Sequence, residues 1–548
     1  MWRFIRPILR PISSCRRRCI STTHLHPSVR DFTASLAEKQ PVLQIDPTNI
    51  RILNQPSQFY ANLLDMINAA ERRIFLSTLY IGAEETELID TLIHRLRVKP
   101  ELKLTLILDF NRSTRPGKDS TANTLLPLLQ QFPERVTISM FRSPSLRGIL
   151  AKVVPPRFNE GWGTWHAKVY GADDDVMISG ANLNKSYFTD RQDRYIRFSD
   201  EPLLAQYCFD FLSKVSSFSY NLLPTQNSAE TGHADNLYLY SSGSYTLTWP
   251  DSNSHPHQFH SLAQSTLSQF QNSYRDTTTR DEPTNPSKAL LIPVIQAGQF
   301  NIREEENVFH QLFRYLARQA SRSLLDLTSG YFSIYPPYQR LILNVPNVDC
   351  RIVAAAPKAN GFYGSKGVSG RIPEGYTLYE QRFMRAVSRA GKLWKGPSPS
   401  EGHGVLLNEW EKPGWTYHAK GIWLTPTADS SPTLTLFGST NLNSRSAHID
   451  TELSFVMVLP ASSSSPRATG PDPDAPPPTT KTTRDGNSAV VTSASPSPMT
   501  SEDPMEMLRR DLAREIGAIR ANAGEWKGGE RKVRWTTQLI VWLVKGML

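Results

Sequence analysis

The feature that most constrains the fold of this 548-residue chain is an internal duplication. The tripeptide His166-Ala167-Lys168 recurs as His418-Ala419-Lys420, so that the two histidines lie 252 residues apart. The same offset of 252 residues separates Tyr80 from Phe332. Because matched landmarks at a fixed offset indicate a repeated structural unit, the sequence predicts two copies of one fold, each long enough for a complete domain.

Helical and strand patterns alternate in both copies. In the first copy, apolar residues over 59–70 have helical spacing, and residues 73–80 form a strand pattern. In the second copy, a helical stripe over 308–320 precedes a strand pattern over 324–332. Alternation of this kind predicts an α/β fold in which helices cover the faces of a mostly parallel sheet.

The formal net charge of +10 is concentrated at the amino terminus. Residues 1–30 contain seven Arg and no Lys, Asp or Glu, so only +3 remains for the other 518 residues. An Arg-rich, Ser-containing start without acids is typical of a mitochondrial transit peptide, and Arg18-Cys19-Ile20 before Ser21 predicts a processing site. An arm that binds nucleic acid or anionic lipid is the alternative. The nearly neutral remainder argues against nucleic acid as a partner, because nucleic-acid binding expects a basic stripe.

Changes in composition divide the chain. A segment rich in Ser, Pro and Thr cannot bury enough apolar surface to become ordered. The apolar end Leu539–Leu548 is too short for a bilayer span, which needs about 20 apolar residues, so it either lies in the membrane interface or packs on the second domain. We predict a transit peptide (1–30), a first domain (45–221), a connection (222–285), a second domain (286–460), a disordered segment (461–504) and a C-terminal amphipathic and apolar segment (505–548).

Cysteine usage argues for a reduced protein. Beyond the predicted presequence the chain has Cys208 and Cys350, which are far apart in sequence. Two such residues indicate neither a disulfide framework nor a zinc site. We therefore expect no structural metal.

Polar residues follow both copies of the tripeptide in matched order. Residues two apart on a strand point to the same side, so the His and Lys of each copy are expected to face one pocket. Two halves facing each other would surround one point with two imidazoles, two ammonium groups and several amides, which predicts a site for an anionic substrate with a nucleophile and an acid. A lone His is usually structural, but packing does not favour His and Lys together on an inward face. Allowing for a seven-residue insertion in the second copy, the matched residues are Asn182, Asn184 and Asp193, and Asn441, Asn443 and Glu452.

These residues resemble the phospholipase D superfamily. His166, Lys168 and Asp173 meet its signature of H-x-K followed after four residues by Asp. In the second copy Thr425 stands in place of the Asp, although the following Gly-Ser-x-Asn pattern is intact. Stretches such as residues 179–195 resemble the mitochondrial branch of the superfamily that makes phosphatidylglycerophosphate, and the likeness covers about 45–460. The resemblance implies a duplicated fold with two mixed β-sheets flanked by helices and an active site between the two halves.

The resemblance also implies a reaction. A phosphatidyltransferase of this branch uses CDP-diacylglycerol and sn-glycerol 3-phosphate, releases CMP and serves cardiolipin synthesis. It works through a phosphohistidine without a metal or other cofactor, in peripheral contact with an anionic membrane, so we expect the mitochondrial inner membrane as the location. A cardiolipin-synthase-type transferase or hydrolase, a nuclease, and an inactive membrane scaffold are the alternatives.

Roles for individual residues follow from the same resemblance. His166 would attack phosphorus and His418 would act as acid and base, although the near-symmetry of the copies leaves the order open. Asp173 completes the catalytic motif of the first copy. Asp193 and Glu452 would fix the two imidazoles, and the oxygens of phosphorus would be stabilised by Lys168, Lys420, Asn182 and Asn441.

Two basic loops are candidates for binding the phosphates of the substrates. Each follows a predicted buried strand, where cationic side chains suit a phosphate. The alternative, which the sequence supports equally well, is that these are ordinary solvent-exposed basic loops without a ligand. The candidates are Arg112, Arg115 and Lys118 in the first copy, and Lys358, Lys366 and Arg371 in the second.

Overall fold

The alternating patterns fold into two α/β halves, each built on one mixed sheet. A computed structural model describes residues 20–225, 239–461 and 502–543, except for positions 157, 252, 282–283, 399 and 429. The predicted disordered segment therefore lies almost wholly outside the described residues, as do residues 1–19. The described chain opens with α1 (Pro27–Ala37) and β1 (Leu43–Ile45), which both belong to the second half.

The first half has an apolar central sheet covered by helices. Strand Lys103–Asp109 is buried along most of its length because helices cover both faces. Its strands are β2 (Ile50–Leu53), β3 (Arg73–Ser77), β4 (Lys103–Asp109), β5 (Val136–Phe141), β6 (Val169–Ala172), β7 (Asp175–Ser179), β8 (Arg191–Gln192), β9 (Tyr195–Phe198), β10 (Tyr220–Pro224), β11 (Leu239–Ser242) and β12 (Tyr245–Thr248). Its helices are α2 (Pro56–Ala69), α3 (Thr86–Val98), α4 (Phe110–Ser113), α5 (Thr121–Gln131), α6 (Gly148–Val153), α7 (Lys185–Thr189), α8 (Pro202–Ser216) and α9 (His260–Asp281).

The second half repeats this plan. Its longest strand, Ala289–Ala297, is buried throughout. The strands are β13 (Ala289–Ala297), β14 (Ile302–Arg303), β15 (Ser323–Ser329), β16 (Val348–Ala355), β17 (Val405–Trp410), β18 (Thr416–Tyr417), β19 (Lys420–Thr425), β20 (Leu434–Gly438), β21 (Glu452–Val458) and β22 (Ala523–Glu525). The helices are α10 (Glu304–Leu316), α11 (Pro336–Asn344), α12 (Ile372–Arg389), α13 (Ser444–His448), α14 (Pro504–Arg520) and α15 (Trp535–Leu543).

The two sheets share one strand order, which confirms the predicted duplication. The order β5-β4-β3-β6-β7-β9 in the first sheet matches β17-β16-β15-β19-β20-β21 in the second. In each set the first three strands are mutually parallel and the others antiparallel. The expectation of mostly parallel sheets is therefore wrong, because a two-residue turn after β6 forms a hairpin where a crossover helix was expected. The mixed sheets implied by the family resemblance are confirmed.

The amino-terminal residues pack on the second half. Val29, Phe32 and Leu36 of α1 are buried, and Leu25 pairs with Pro460. The last residues of the predicted transit peptide are thus part of this hydrophobic core, whereas the predicted processing site before Ser21 lies where the described residues begin. The extent of the presequence stays a prediction.

The predicted connection and the C-terminal segment contain regular structure. Strands β10 to β12 extend the first sheet, and α9 follows them. Strand β22 pairs with β17 at the edge of the second sheet. Helix α14 joins the two halves, since Glu515 on α14 forms an ion pair with Arg194, whose guanidinium also donates to the Leu436 carbonyl. Among the described residues, we find no helix with the length and apolarity that crossing a membrane requires.

Candidate active site

Two short parallel contacts between the halves place the histidines. Strand β18 pairs with β8 so that Thr416 faces Arg191 and Tyr417 faces Gln192. The next residues in this register are His418 and Asp193. The second contact is a single parallel bridge between Trp165 and Thr451, and the next residues there are His166 and Glu452. Each histidine is therefore held beside a carboxylate of the other half.

The resulting ion pairs are short and buried. His166 Nδ1 lies 2.8 Å from Glu452 Oε2, and His418 Nδ1 lies 2.6 Å from Asp193 Oδ2. The sequence had matched each carboxylate with the histidine of its own copy, whereas the structure crosses the pairs. An ionised carboxylate only accepts hydrogen bonds, so Nδ1 of His166 donates to Glu452 and its Nε2 keeps the lone pair that a nucleophile needs.

The two lysines of the repeated tripeptide are also buried between the halves. Lys168 Nζ donates to the His166 carbonyl oxygen over 2.6 Å. Lys420 Nζ lies 2.7 Å from His418 Nδ1 and 3.5 Å from Asp193 Oδ2. The structure thus places both lysines beside the histidine of their own copy, and their contact with a substrate stays a prediction. Burial lowers the pKa of Lys168 to about 7.

Burial also sets the charge of the imidazoles. Desolvation lowers the pKa of His166, although the Glu452 carboxylate opposes that shift. Desolvation and then the Lys420 ammonium hold the pKa of His418 well below its usual value. Burial would raise the pKa values of the carboxylates, but the adjacent His and Lys residues outweigh it, and the pKa values of Asp193 and Glu452 are lowered. At neutral pH the site therefore contains neutral imidazoles held by ionised carboxylates.

Of the four predicted asparagines, two lie at the site and two lie at the starts of helices. Asn182 accepts hydrogen bonds from the Leu79 N–H (3.3 Å) and donates one to the Tyr187 hydroxyl (3.1 Å) beside His418. The side-chain oxygen of Asn441 is buried without a hydrogen-bond partner among the described residues.

Asn184 and Asn443, by contrast, begin helices. Their side-chain oxygens accept from Ser186 N–H and Ser446 N–H, which caps α7 and α13. We therefore correct their predicted role as amide donors to the site.

Asp173 also has a structural position instead of the predicted catalytic one. Its carboxylate accepts from the backbone N–H groups of Glu71, Arg72 and Arg73 at 2.7, 2.8 and 3.0 Å. It follows the far end of β6, while His166 precedes the near end. The residue has a φ of 50° in the hairpin turn, a conformation that Asp tolerates better than most residues. Asp173 thus fixes the start of β3, and the second copy does without it.

The six cations of the two predicted phosphate-binding loops have different surroundings. The Arg112 guanidinium lies 4.1 Å from the centre of the Tyr80 ring. Arg115 donates to Glu160 over 2.6 Å and is neutralised by it, and Arg371 lies 3.6 Å from Glu374. Three further predicted cations are exposed: Lys118, Lys358 and Lys366.

Sequence reasoning missed the aromatic walls of the site. Tyr187 and Tyr331 meet the His418 ring edge-on, each with its ring centre 5.2 Å away. The Arg191 guanidinium lies 4.5 Å from the centre of the Tyr187 ring. Buried tyrosines resemble ordinary core residues in a sequence, so the repeated tripeptide gives no signal for them. Among the described residues, no three His, Cys, Asp or Glu side chains come together in a way that could hold a metal ion.

Known proteins resemble the chain over most of its length. A scan against protein-family models gave no match. A Dictyostelium discoideum relative named as a probable CDP-diacylglycerol–glycerol-3-phosphate 3-phosphatidyltransferase is 34% identical over 464 residues, covering 81% of this chain and 74% of the relative. The human mitochondrial enzyme of that name is 34% identical over 439 residues, covering 76% and 75%. The chain belongs to this phosphatidyltransferase family.

A solved structure has the same fold as this phosphatidyltransferase. The phosphatidylserine synthase of Haemophilus influenzae superimposes with a TM-score of 0.60 at 16% identity, covering 95% of this chain and 99% of that one. At this identity the likeness concerns the fold alone. Relatives of the phosphatidyltransferase from human, chicken and mouse are named mitochondrial.

Proposed function

We propose that the cleft between the halves transfers a phosphatidyl group from CDP-diacylglycerol to sn-glycerol 3-phosphate, giving phosphatidylglycerophosphate and CMP for cardiolipin synthesis. The observation that carries this proposal is the pair of crossed His–carboxylate contacts of 2.8 and 2.6 Å in one buried site. Two imidazoles, each with its Nδ1 fixed, supply one nucleophile and one acid–base group. The family of the relatives supports the choice of substrates.

In the first step, His166 Nε2 attacks the phosphorus that bears diacylglycerol. A P–N bond forms while the P–O bond to the cytidine phosphate breaks, so the electron pair of that bond leaves with CMP. The anionic pyrophosphate of the bound donor raises the pKa of the His418 imidazole, so this imidazole becomes protonated. His418 then gives its proton to the departing CMP. Because His166 must be neutral to attack, its lowered pKa suits this role.

In the second step, the C1 hydroxyl of sn-glycerol 3-phosphate attacks the phosphatidyl-histidine. His418 takes the hydroxyl proton, a new P–O bond forms, and the P–N bond breaks so that His166 regains its lone pair. Lys168, Lys420, Asn182 and Asn441 are proposed to stabilise the phosphoryl oxygens in both steps, where charge increases during attack. No step in this sequence consumes a further reactant.

Isotope exchange tests the covalent intermediate. Labelled CMP should enter CDP-diacylglycerol without any acceptor, because exchange needs the first step and its reversal alone. His166→Ala should abolish exchange and covalent labelling, while His94→Ala on the exposed side of α3 should leave both unchanged. Wild-type enzyme that transfers without exchange would contradict the phosphohistidine. An adduct that persists in His166→Ala but is lost in His418→Ala would reverse the two roles.

We also propose peripheral contact with an anionic membrane, such as the mitochondrial inner membrane, through α15. Trp535 and Trp542 on this helix are 74% and 68% exposed, and Leu543 is 66% exposed. Exposed Lys527 and Lys532 precede the helix. Exposed Trp and Leu beside cations suit an interface of anionic lipid headgroups.

Vesicle sedimentation tests this surface. Full-length enzyme should sediment with phosphatidylcholine vesicles that contain phosphatidylglycerol, and the double variant Trp535→Ala/Trp542→Ala should sediment less. Leu203→Ala serves as the control, since Leu203 is 45% exposed on α8 of the other half. Unchanged sedimentation of the double variant would contradict the proposal.

A further inference from the structure

Two arginines at the cleft have no carboxylate partner. Within residues 20–225, 239–461 and 502–543, Arg112 and Arg191 form no ion pair with an acidic side chain, and each lies against a tyrosine ring. A partly buried cation without an acid is best stabilised by an anionic ligand. The neighbouring arginines are neutralised: Arg115 by Glu160, Arg194 by Glu515 and Arg445 by Asp450.

Arg191 is held in place from two sides. Its Nε donates to the Thr416 hydroxyl over 2.9 Å, and its guanidinium lies 4.5 Å from the centre of the Tyr187 ring. The Tyr187 hydroxyl lies 3.5 Å from His418 Nε2. One tyrosine side chain therefore separates the guanidinium from the nitrogen that acts as acid and base.

Glycine at position 361 allows the Arg191 side chain to approach the backbone closely. A Cβ at Gly361 would lie 3.2 Å from Arg191 Nη2 and 3.4 Å from the Tyr331 hydroxyl. The guanidinium and this hydroxyl therefore border the same point, and both can donate a hydrogen bond to a ligand there.

Arg112 acts on the same tyrosine. Burial first raises the pKa of Tyr331, while the charges of Arg191 and Arg112 oppose that shift.

The near-symmetry of the halves is broken at this position. In the contact between β8 and β18, Arg191 faces Thr416. The equivalent contact of the other half has Asp450, which accepts from the Thr164 N–H and hydroxyl at 2.9 Å each. Arg445 neutralises Asp450 at 3.0 Å. The side of the cleft next to His418 thus has an unmatched positive charge, and the side next to His166 does not.

We infer that Arg191, with the Tyr331 hydroxyl, binds the phosphate dianion of the acceptor sn-glycerol 3-phosphate. The inference rests on the proposed function, in which His418 deprotonates the acceptor hydroxyl. With its phosphate at Arg191, the three-carbon acceptor extends along the Tyr187 side chain toward His418, so its hydroxyl approaches the base. The phosphate of the departing CMP has the same chemistry, so the experiment must distinguish the acceptor phosphate from the CMP phosphate.

Separate measurement of the two steps makes that distinction. Arg191→Met should raise the KM for sn-glycerol 3-phosphate about 10- to 100-fold, the range expected when a hydrogen bond to a charged group is lost. CMP exchange into CDP-diacylglycerol should stay within about twofold of wild type, as a lost acceptor contact leaves the first step unchanged. Arg72→Met provides a matched control, because this exposed arginine pairs with Asp174 outside the cleft.

Gly361→Ala tests the subsite without removing a charge. Its φ is not positive, so alanine is compatible with the backbone, and the added methyl would crowd Arg191 Nη2 at 3.2 Å and the Tyr331 hydroxyl at 3.4 Å. This variant should also raise the acceptor KM while exchange continues.

The outcomes separate this inference from the proposed function. Loss of CMP exchange in Arg191→Met would overturn the inference and assign the cation to the nucleotide phosphate. Unchanged acceptor KM values in both variants, with normal wild-type exchange, would overturn it as well. Absence of exchange in the wild type would instead contradict the covalent mechanism.

Discussion

Replacing Glu452 by glutamine removes the charge beside His166 and keeps the size of the side chain. Glu452 accepts from His166 Nδ1 at 2.8 Å and from the Ser446 hydroxyl at 2.6 Å, and it is fully buried. A hydrogen bond to a charged group contributes about 1.5–3 kcal/mol. The imidazolium loses this stabilisation in Glu452→Gln, so the pKa of His166 should fall further below its usual value.

The direction of this change follows from the charge. The carboxylate stabilises the imidazolium and so raises the pKa of His166 against the effect of burial. Without it, His166 stays neutral to lower pH, and the acidic limb of CMP exchange should move to lower pH. The maximal exchange rate should fall about 10- to 100-fold, because the imidazole loses the partner that fixes its tautomer.

The assay is the pH profile of CMP exchange, measured for wild type, Glu452→Gln and Asp193→Asn. Asp193→Asn should leave the acidic limb of His166 in place, since Asp193 contacts His418. Exchange tracks the first step, so changes in acceptor binding do not enter. An acidic limb that moves in Asp193→Asn but not in Glu452→Gln would refute the crossed pairing.

Three further predictions concern charge and stability. The pKa of Lys168 is lowered to about 7, so kcat/KM of the wild type should fall above about pH 7 as this ammonium loses its charge. Lys168→Arg should remove this fall, because arginine stays charged. pH profiles of the transfer reaction check this prediction. Glu515→Ala should lower the free energy of unfolding by about 3–5 kcal/mol in a denaturant titration, since it leaves buried Arg194 unpaired. As a control, Asp511→Ala should lower it by less than about 1 kcal/mol, because the ion pair of Asp511 with Arg514 is exposed. Asp173→Ala should cost about 1–2 kcal/mol in thermal unfolding, and the kcat of the folded enzyme should stay within a few-fold, unlike that of a catalytic variant.

Sequence and structure agree where the signal is local or repeated. The duplication predicted two matched halves, and the spacing of His166 and Lys168 predicted their approach to one site. The crossed pairs depend on two contacts between distant segments, one of them the two-residue strands β8 and β18. Strands this short carry no periodicity, so their register is invisible in the sequence.

Other differences have local causes. Asn184 and Asn443 each precede a helix of five residues, and an asparagine there caps the helix as readily as it binds a ligand. Asp173 belongs to the family motif, but a motif gives no direction for its side chain. Tyr331 was hidden because it falls at the aromatic end of the predicted strand 324–332, where the sequence pattern is that of ordinary core residues, whereas the strand itself ends at Ser329.

Because each histidine pairs with a carboxylate of the other half, neither half contains a complete His–carboxylate pair of its own. A single copy of the fold would hold a histidine and a carboxylate that never meet, and two identical copies would complete both pairs about a twofold axis. Identical copies would also have to carry the same residue at the positions of Arg191 and Asp450. Joining the copies in one polypeptide removes that obligation, so one rim can carry an unpaired cation and the other a neutralised ion pair, and a nearly symmetric framework can bind two different substrates.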